Sequence, residues 1–581
     1  MSREDLGSRT PTGLAARPTP CVTPLTQDVP RTRPGESRTV IKAAHRYEVV
    51  DIMSRLQIAG ARYHFIGAGG VGMSGLARLL IGKKAIVTGS DQTVGVATSR
   101  LNGLGARIHL GHSADNLDPA TDVVVVSAAI SESNPELQMA RRRGCRIVKY
   151  AQLLGELLDH FEGIAISGTH GKSTTTGWLV YCLKQAGIDP NFVVGAEILQ
   201  LGGSSGSGNS DLFVVEACEY DRSFHNFKPS VACILNIERD HLDCYKDEDD
   251  IIESFSQFAR GTRADGLIVA SGEDANVRKM LSRLHGAGTG ARIVTFGLES
   301  RTGDAGVAPN FSARNIREVE GLYQFDVFQD GRPLGPARIS LPGLHNVRNA
   351  MAVIATAVSI GIEPERIFGA GADGVSPLQG FQGMDRRLML KGVFPAPGSE
   401  SEEDLTDLID PIVNPVNKVN KVSRPLREVP DPSDGRRAAS DGIAVLDDYA
   451  HHPTEIQASL AAIRQRYRPR RLWCVFQAHQ YSRTQALLED FARSFAQADK
   501  VILPEIYFAR DSEASRSAVN ARVLAERIRA CGTDAEHLAT FAAVCDHLEK
   551  HVRAGDVVVT MGAGDVWKVA DEYIQRLRRD R

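Results

Sequence analysis

Residues 164–179 read IAISGTHGKSTTTGWL. A short apolar strand signal runs into a glycine turn and then into a helical period. Leu179, Cys182, Leu183 and Ala186 fall on one face of that helix, and Gly187 supplies a stop. Strand, turn and helix in this order let backbone N–H groups and a helix N-terminus hold phosphate. The common phosphate-loop pattern G-x-x-x-x-G-K-[ST] is nevertheless not met. Gly171-Lys172-Ser173 is intact, but Ile166 stands where the first glycine belongs, and the nearest glycine is Gly168. If the loop holds ATP, Lys172 neutralises the β- and γ-phosphates and Ser173 offers its hydroxyl to Mg2+.

The strands that follow test that reading. In a parallel sheet all strands end on one edge, and ligands bind there. "DLFVVE" ends on Glu216, with Glu219 and Asp221 just beyond, and "VACILNIERDHLD" ends with Glu238, Asp240, His241 and Asp243. If both neighbour the loop strand, carboxylates and an imidazole converge on the phosphates. Mg2+ prefers oxygen donors, so Glu216 with Ser173 is the natural pair, and His241 is a less usual ligand. The blander reading of these charges is that they cap loops.

A second glycine loop, "GAGGVGMSG", matches G-x-G-x-x-G through Gly67, Gly69 and Gly72. It follows a strand, opens a helix, and has Asp91 at the end of the next strand, about 20 residues on. Alone it is a dinucleotide fingerprint and admits an NAD-binding oxidoreductase or a nucleotide-binding regulator. Its general meaning is a diphosphate on a helix N-terminus, which a nucleotide-sugar satisfies equally. A hydride-transfer enzyme has no use for the ATP-type loop; an ATP-driven enzyme acting on a nucleotide-linked substrate uses both.

Bulk properties exclude other classes. The 581 residues exceed one core and suggest three or four domains. With 42% apolar and 24% charged residues the composition is globular, and a net charge of −3 gives no basic field for nucleic acid. The 9 cysteines form no C-x-x-C pair, as expected of a reducing cytoplasm and not of a zinc cage. No apolar run approaches the ~18 residues that span a bilayer. Residues 1–58 are rich in Pro, Thr and Arg and are expected to be a disordered extension. Alternating strand and helix signals then give an α/β chain of three blocks, 59–160, 161–375 and 376–581. The last is interrupted at about 395–441 by an acidic, then Val/Asn/Lys-repetitive, then Pro/Arg-rich stretch expected to be a disordered insertion.

Seven segments, "HFIGAGGVGMSGLA", "GTHGKST", "NIERDHLD", "LPGLHNVRN", "DDYAHHPTE", "FQAHQYSRT" and "MGAGD", stand in the order and spacing of the Mur ligases. The resemblance runs from about residue 63 to the C-terminus apart from the insertion, and that family's loop has the shorter form G-T-x-G-K-[ST]. It implies a Rossmann-like N-terminal domain for a UDP-sugar, a central P-loop ATPase-type domain with a mostly parallel sheet, and a Rossmann-like C-terminal domain. The implied reaction, in cell-wall precursor synthesis, uses ATP to join L-alanine to the lactyl carboxylate of UDP-N-acetylmuramate through an acyl phosphate.

Residue by residue, the resemblance places ATP on Gly168, Thr169, His170, Gly171, Lys172, Ser173 and Thr174. It adds His345, Asn346 and Asn349 near adenine, and Arg387 and Asp448 from the third domain. Ser173, Glu216 and His241 are the implied Mg2+ ligands. Gly67, Gly69, Gly70, Gly72, Met73, Ser74, Asp91 and Ser127 would hold the UDP-sugar, and Tyr449, His451 and Arg483 the amino acid. Lys172, Glu216, His241, Arg387 and Arg483 are the implied catalytic set. A sibling that adds a preformed peptide to the same UDP-sugar is the nearest alternative, and "HQYSRT" favours the alanine-adding branch. The chain departs from the family at Cys218 and Tyr220, where Asp and Ser are common, and at Ala478 and Gln480, where Pro and Arg are usual. Gln480 removes a charge near the amino-acid site and puts more of its recognition on Arg483.

Overall fold

The computed structural model describes residues 58–287, 289–299, 308–371, 374–395, 442–509, 511, 516–517 and 519–579. The expectations for 1–58 and about 395–441 lie outside the described residues, except that Ile58 is buried and Pro395 ends a strand.

The first sheet is built from β1 (Arg62–Ile66), β2 (Ile86–Asp91), β3 (Arg107–Leu110), β4 (Val123–Val126) and β5 (Arg146–Lys149). Their order is β3-β2-β1-β4-β5, and every pair is parallel. The order reverses between β1 and β4, and crevices for ligands open at the carboxyl ends of strands at such a point. The loop that carries Gly67 to Gly72 leaves β1 there and enters helix α1 (Val71–Gly82).

The second sheet holds β6 (Glu162–Ser167), β7 (Asn191–Val193), β8 (Ser205–Gly206), β9 (Leu212–Glu216), β10 (Val231–Ile234), β11 (Leu267–Ser271), β12 (Arg292–Leu298), β13 (Phe311–Val319), β14 (Leu322–Gln329) and β15 (Arg332–Arg338). The order is β15-β14-β13-β12-β11-β10-β6-β9-β7-β8. The loop strand β6 therefore lies between β9 and β10, parallel to both, with Ile166 beside Glu216 and Ser167 beside Ile234. Ile164, Ala165 and Ile166 are fully buried, since helices cover both faces of a central parallel strand and it reads as an unbroken apolar run. One face packs on α2 (Lys172–Gln185), through Trp178, Leu179, Cys182 and Leu183, and on the alanine- and valine-rich α4 (Leu344–Ser359). The other packs on α3 (Glu248–Arg260) through Phe255 and Phe258. The antiparallel meander β13–β15 at one edge and the β7–β8 pair at the other are additions the sequence reading did not contain.

The third sheet comprises β16 (Met389–Pro395), β17 (Gly442–Asp448), β18 (Leu472–Phe476), β19 (Lys500–Leu503), β20 (Asp534–His537) and β21 (Val557–Met561). It is ordered β16-β17-β21-β18-β19-β20, and all but the β16–β17 pair is parallel. Helices α5 (Pro453–Tyr467) and α6 (Tyr481–Ala486) begin near the carboxyl ends of β17 and β18 and face the second sheet's loops. Among the described residues no helix is long and apolar enough to cross a membrane.

Candidate active site

The glycine missing from the opening motif has a structural reason. Ile166 is the penultimate residue of β6, so the turn begins only at Gly168 and the loop is shorter. Gly168 has φ +152° and Gly171 φ +80°. A Cβ on Gly168 would sit 2.9 Å from the Leu235 Cβ, and one on Gly171 would sit 2.6 Å from Asn349 Oδ1. Both positions therefore require glycine. Asn236, at the end of β10, clips the turn by accepting from His170 N at 2.8 Å and donating to His170 O at 3.0 Å. Thr169 Oγ1 accepts from Glu238 N at 2.8 Å. Helix α2 has Gly171 at its N-cap, with no side-chain cap and no acid in its first turn, so its leading amides face outward without a carboxylate to neutralise them.

Lys172 folds over this turn. Its ammonium donates to Gly168 O at 2.6 Å, Thr169 O at 3.0 Å and Glu219 Oε1 at 2.8 Å. Burial acts against that charge, but the acidic groups around it, Glu219 foremost and Glu216 with it, together hold the ammonium above its ordinary value. Burial likewise opposes the Glu219 carboxylate, and Lys172 keeps it below its usual range. His241 Nε2 lies 3.6 Å from the same Glu219 oxygen. Glu219 Oε2 and His241 Nδ1 are buried with no hydrogen-bond partner. Glu216, on β9, accepts from Gly195 N at 2.7 Å. The backbone around this cluster is held in the left-handed region at three non-glycine residues, Asp221 (φ +52°), Arg222 (φ +51°) and His241 (φ +52°). Such conformations persist only where surrounding structure imposes them, and they concentrate at functional sites.

Facing this edge is the start of the third sheet's helices. A cleft of about 910 Å3 separates the two and is lined by His170, Thr174, His345, Asn349, Arg387 and Asp448, among others. Asn346 and Asn349 are buried on the first turns of α4 and bonded to each other at 3.1 Å. Burial lowers His345 to about 4. Asp448 ends β17, and burial pushes its carboxyl up to about 6. Arg387 lies with its guanidinium 4.9 Å from the Tyr449 ring centre and 3.8 Å from Glu455. His451 Nδ1 donates to Tyr449 O at 3.0 Å, and burial lowers the ring to about 3 in spite of Glu455. Arg483, on α6, is buried and donates to Asp240 Oδ1 at 2.7 Å. Arg387 and Asp448 are thus brought to the side of the cleft opposite the loop, with Tyr449 against Arg387, while His451 and Arg483 lie outside its lining.

The second glycine loop closes on itself. Gly69 N donates to Asp91 Oδ2 at 2.8 Å, while Asp91 Oδ1 accepts from Thr93 N at 3.0 Å. A Cβ on Gly69 would sit 2.8 Å from that carboxylate, and one on Gly72 would sit 2.9 Å from the Tyr150 ring. Gly67 takes φ +82° against Ser127, Gly70 caps α1 without a side-chain bond, Met73 is buried, and Ser74 Oγ bonds Val71 O at 3.2 Å. All eight residues assigned to the UDP-sugar gather at the carboxyl edge of the first sheet. Asp91 is engaged by the loop's own amide, a feature the motif alone did not indicate.

The sequence matches the descriptions "Mur ligase family, catalytic domain" over residues 62–162, "Mur ligase middle domain" over 166–357 and "Mur ligase, glutamate ligase domain" over 436–564. A UDP-N-acetylmuramate–L-alanine ligase of Acetivibrio thermocellus is 36% identical, over 88% of this chain and 95% of that protein. One of Clostridium tetani is 36% identical over 88% of this chain and 98% of its own length. The chain belongs to the Mur ligase family. In fold, this Mur ligase resembles the solved UDP-N-acetylmuramate–alanine ligase of Thermotoga maritima, with TM-score 0.66 and 24% identity over 90% of this chain and 100% of that one. It also resembles a murein peptide ligase of Psychrobacter arcticus, with TM-score 0.59 and 24% identity over 89% and 99%.

Several residues that shape the site of this Mur ligase were missing from the sequence-based set. Glu219, in sequence only a carboxylate after β9, touches both Lys172 and the His241 side chain. Asn236 and Asp240 sit in the same "NIERDH" segment as His241, which was the available signal. Glu455 follows His451 by one helical turn and accepts from its backbone N at 3.0 Å. Arg386, beside Arg387, pairs with Asp447 at 3.1 Å and donates to Gly562 O at 2.7 Å, which fixes the "MGAGD" turn.

Proposed function

We propose that the protein is a cytoplasmic, ATP-dependent ligase that joins L-alanine to the lactyl carboxylate of UDP-N-acetylmuramate. The observation that carries this reading is the shared cleft. The nucleotide loop forms one wall through His170, Gly171 and Thr174, Arg387 and Asp448 stand on the other, and the buried Asp240–Arg483 pair ties the third sheet to the segment after β10. The 36% identical relatives, named for that reaction and matched over nearly their whole length, support the choice of substrates.

A carboxylate resists attack by an amine because its charge repels the nucleophile and it offers no leaving group. In the proposed reaction a lactyl oxygen forms a bond to the γ-phosphorus as the bond to ADP breaks. The amine then attacks the acyl carbon, giving a tetrahedral intermediate, and loses a proton as phosphate departs with the C–O bond electrons. Lys172 exchanges its contacts with Gly168 O and Thr169 O for phosphate oxygens, and its charge counters that of the transferring group. Arg483 retains Asp240 on one edge and offers its remaining N–H donors to the amino acid's carboxylate. Closure of the third sheet's helices onto the loop would exclude the water that would hydrolyse an acyl phosphate.

The donor set fits Mg2+. Glu219 Oε2 and His241 Nδ1 are buried without partners, and Ser173 and Glu216 supply oxygens at the same sheet edge. When bound, that ion supplies charge neutralisation for the phosphates. ADP release tests the proposal: it should require UDP-N-acetylmuramate and L-alanine together. Release with a preformed tripeptide and none with L-alanine would assign the protein to the peptide-adding branch.

A further inference from the structure

A different group of donors lies where the nucleotide loop meets the third sheet. His170 Nε2 is 3.3 Å from Glu238 Oε2, and His452 Nδ1 is 3.8 Å from the same oxygen. These three ligand atoms all lie within 4.8 Å of one another. The outer nitrogens of both rings are already committed. His170 Nδ1 faces Glu455 Oε1 at 3.2 Å, and His452 Nε2 faces the Arg239 carbonyl at 3.2 Å. Each ring therefore donates outward; His170 Nε2 faces Glu238, while His452 Nδ1 accepts the capping bond of α5 from Thr454 N at 3.4 Å, a contact that a bound ion would replace. An imidazole held by a carboxylate or carbonyl on its far side is the usual arrangement around a metal-binding histidine, because it sets the tautomer and raises basicity.

We propose that His170, Glu238 and His452 form a binding site for a transition-metal dication of the zinc class, separate from the Ser173, Glu216 and His241 set. Two imidazoles and one carboxylate favour such an ion over Mg2+, which prefers oxygen. Donors about 2.0–2.1 Å from a tetrahedral centre stand about 3.3 Å apart. The His170–Glu238 pair has that spacing, whereas His452 Nδ1, 3.8 Å from Glu238 and within 4.8 Å of both partners, must move inward to reach it. Glu238 is 33% exposed and, with His170, lines the cleft, so an ion has a route in from solvent. Binding exchanges the proton that His170 Nε2 holds toward Glu238 for the ion, so affinity falls as pH falls.

The three ligands come from three places: the nucleotide loop, the segment after β10, and the N-cap of α5. Hydrogen bonds already span this seam, with Thr454 Oγ1 donating to Glu238 Oε2 at 2.7 Å. A bound ion replaces such contacts with bonds that hold the third sheet's first helix against the nucleotide loop. It would therefore slow any turnover that requires the cleft to reopen.

The test is a Co2+ titration of the chelator-treated full chain without nucleotide. One Co2+ per chain should give tetrahedral-type visible absorption that Zn2+ abolishes. The Co2+ form should show two hyperfine-shifted exchangeable imidazole protons, one from each ring's outer N–H. His452→Asn, which keeps an N-capping side chain, and Glu238→Gln should each weaken binding by about tenfold or more. His241→Ala should leave the signal intact. The proposal is overturned if no such absorption forms, if the signal survives both substitutions, or if it disappears in His241→Ala. The proton count is read on the unsubstituted protein, so fewer than two shifted imidazole protons overturns it even if a variant fails to fold.

Discussion

Arg483 and Asp240 are 243 residues apart in sequence, yet they form a buried ion pair at 2.7 Å that joins the third sheet's α6 to the segment carrying His241. Breaking such a pair leaves one uncompensated buried charge and costs about 3–5 kcal/mol. Asp240→Ala should therefore lower Tm markedly. In the milder Asp240→Asn, KM for the amino acid should rise more than kcat falls, because Arg483 loses the group that aims it. Equal loss in both constants, with Tm unchanged, would contradict a positioning role.

Lys172→Ala should abolish ADP release, lowering kcat by about 10²-fold or more, as expected for removing a charge that acts on a transferring phosphoryl group. It also strips Glu219 of its closest cation. The Glu219 carboxyl should then titrate at a higher pH than in the parent protein, which carboxylate-resolved NMR can follow. Intact turnover would rule out the nucleotide role of the loop.

Installing the absent glycine should do harm. Ile166 is fully buried on the central strand, so Ile166→Gly removes core volume and adds backbone freedom within a strand. A loss of about 3–5 kcal/mol is expected in denaturant unfolding. Affinity for ATP, measured by calorimetry on the folded fraction, should not improve.

Asp448 supplies a pH test. Burial raises its carboxyl from 3.8 to about 6. The folded state thus binds this proton more tightly than the unfolded chain does. Its relative stabilising effect is complete below about pH 3.8 and is lost as pH rises through about 6. Asp448→Asn should therefore raise Tm at pH 8, with the advantage vanishing toward pH 4, while turnover falls. A gain that grows toward low pH would reverse the sign of this argument.

The local signals were largely legible because they are short-range. The run of apolar residues in β6, the glycines of both loops and the carboxylates at strand ends are decided within one strand–turn–helix unit. The motif order then assigned the chain to its family. The β13–β15 meander was missed although β14 alternates cleanly, with Tyr323, Phe325 and Val327 buried, and Asp330-Gly331 supplies a hairpin turn; only β15, RPLGPAR, lacks a strand pattern.

Sequence alone determined where the glycine turns fall and which strand ends carry charge, since steric demands at glycine and the polarity of strand ends are local properties. Only the tertiary structure decided which of those charges meet. Glu219 rather than Glu216 holds Lys172, Asp91 closes the loop of Gly69, and Asp240 claims Arg483. Each of these contacts joins segments between about 20 and 240 residues apart, and pairing at that range depends on how the sheets and helices pack, which no local pattern encodes.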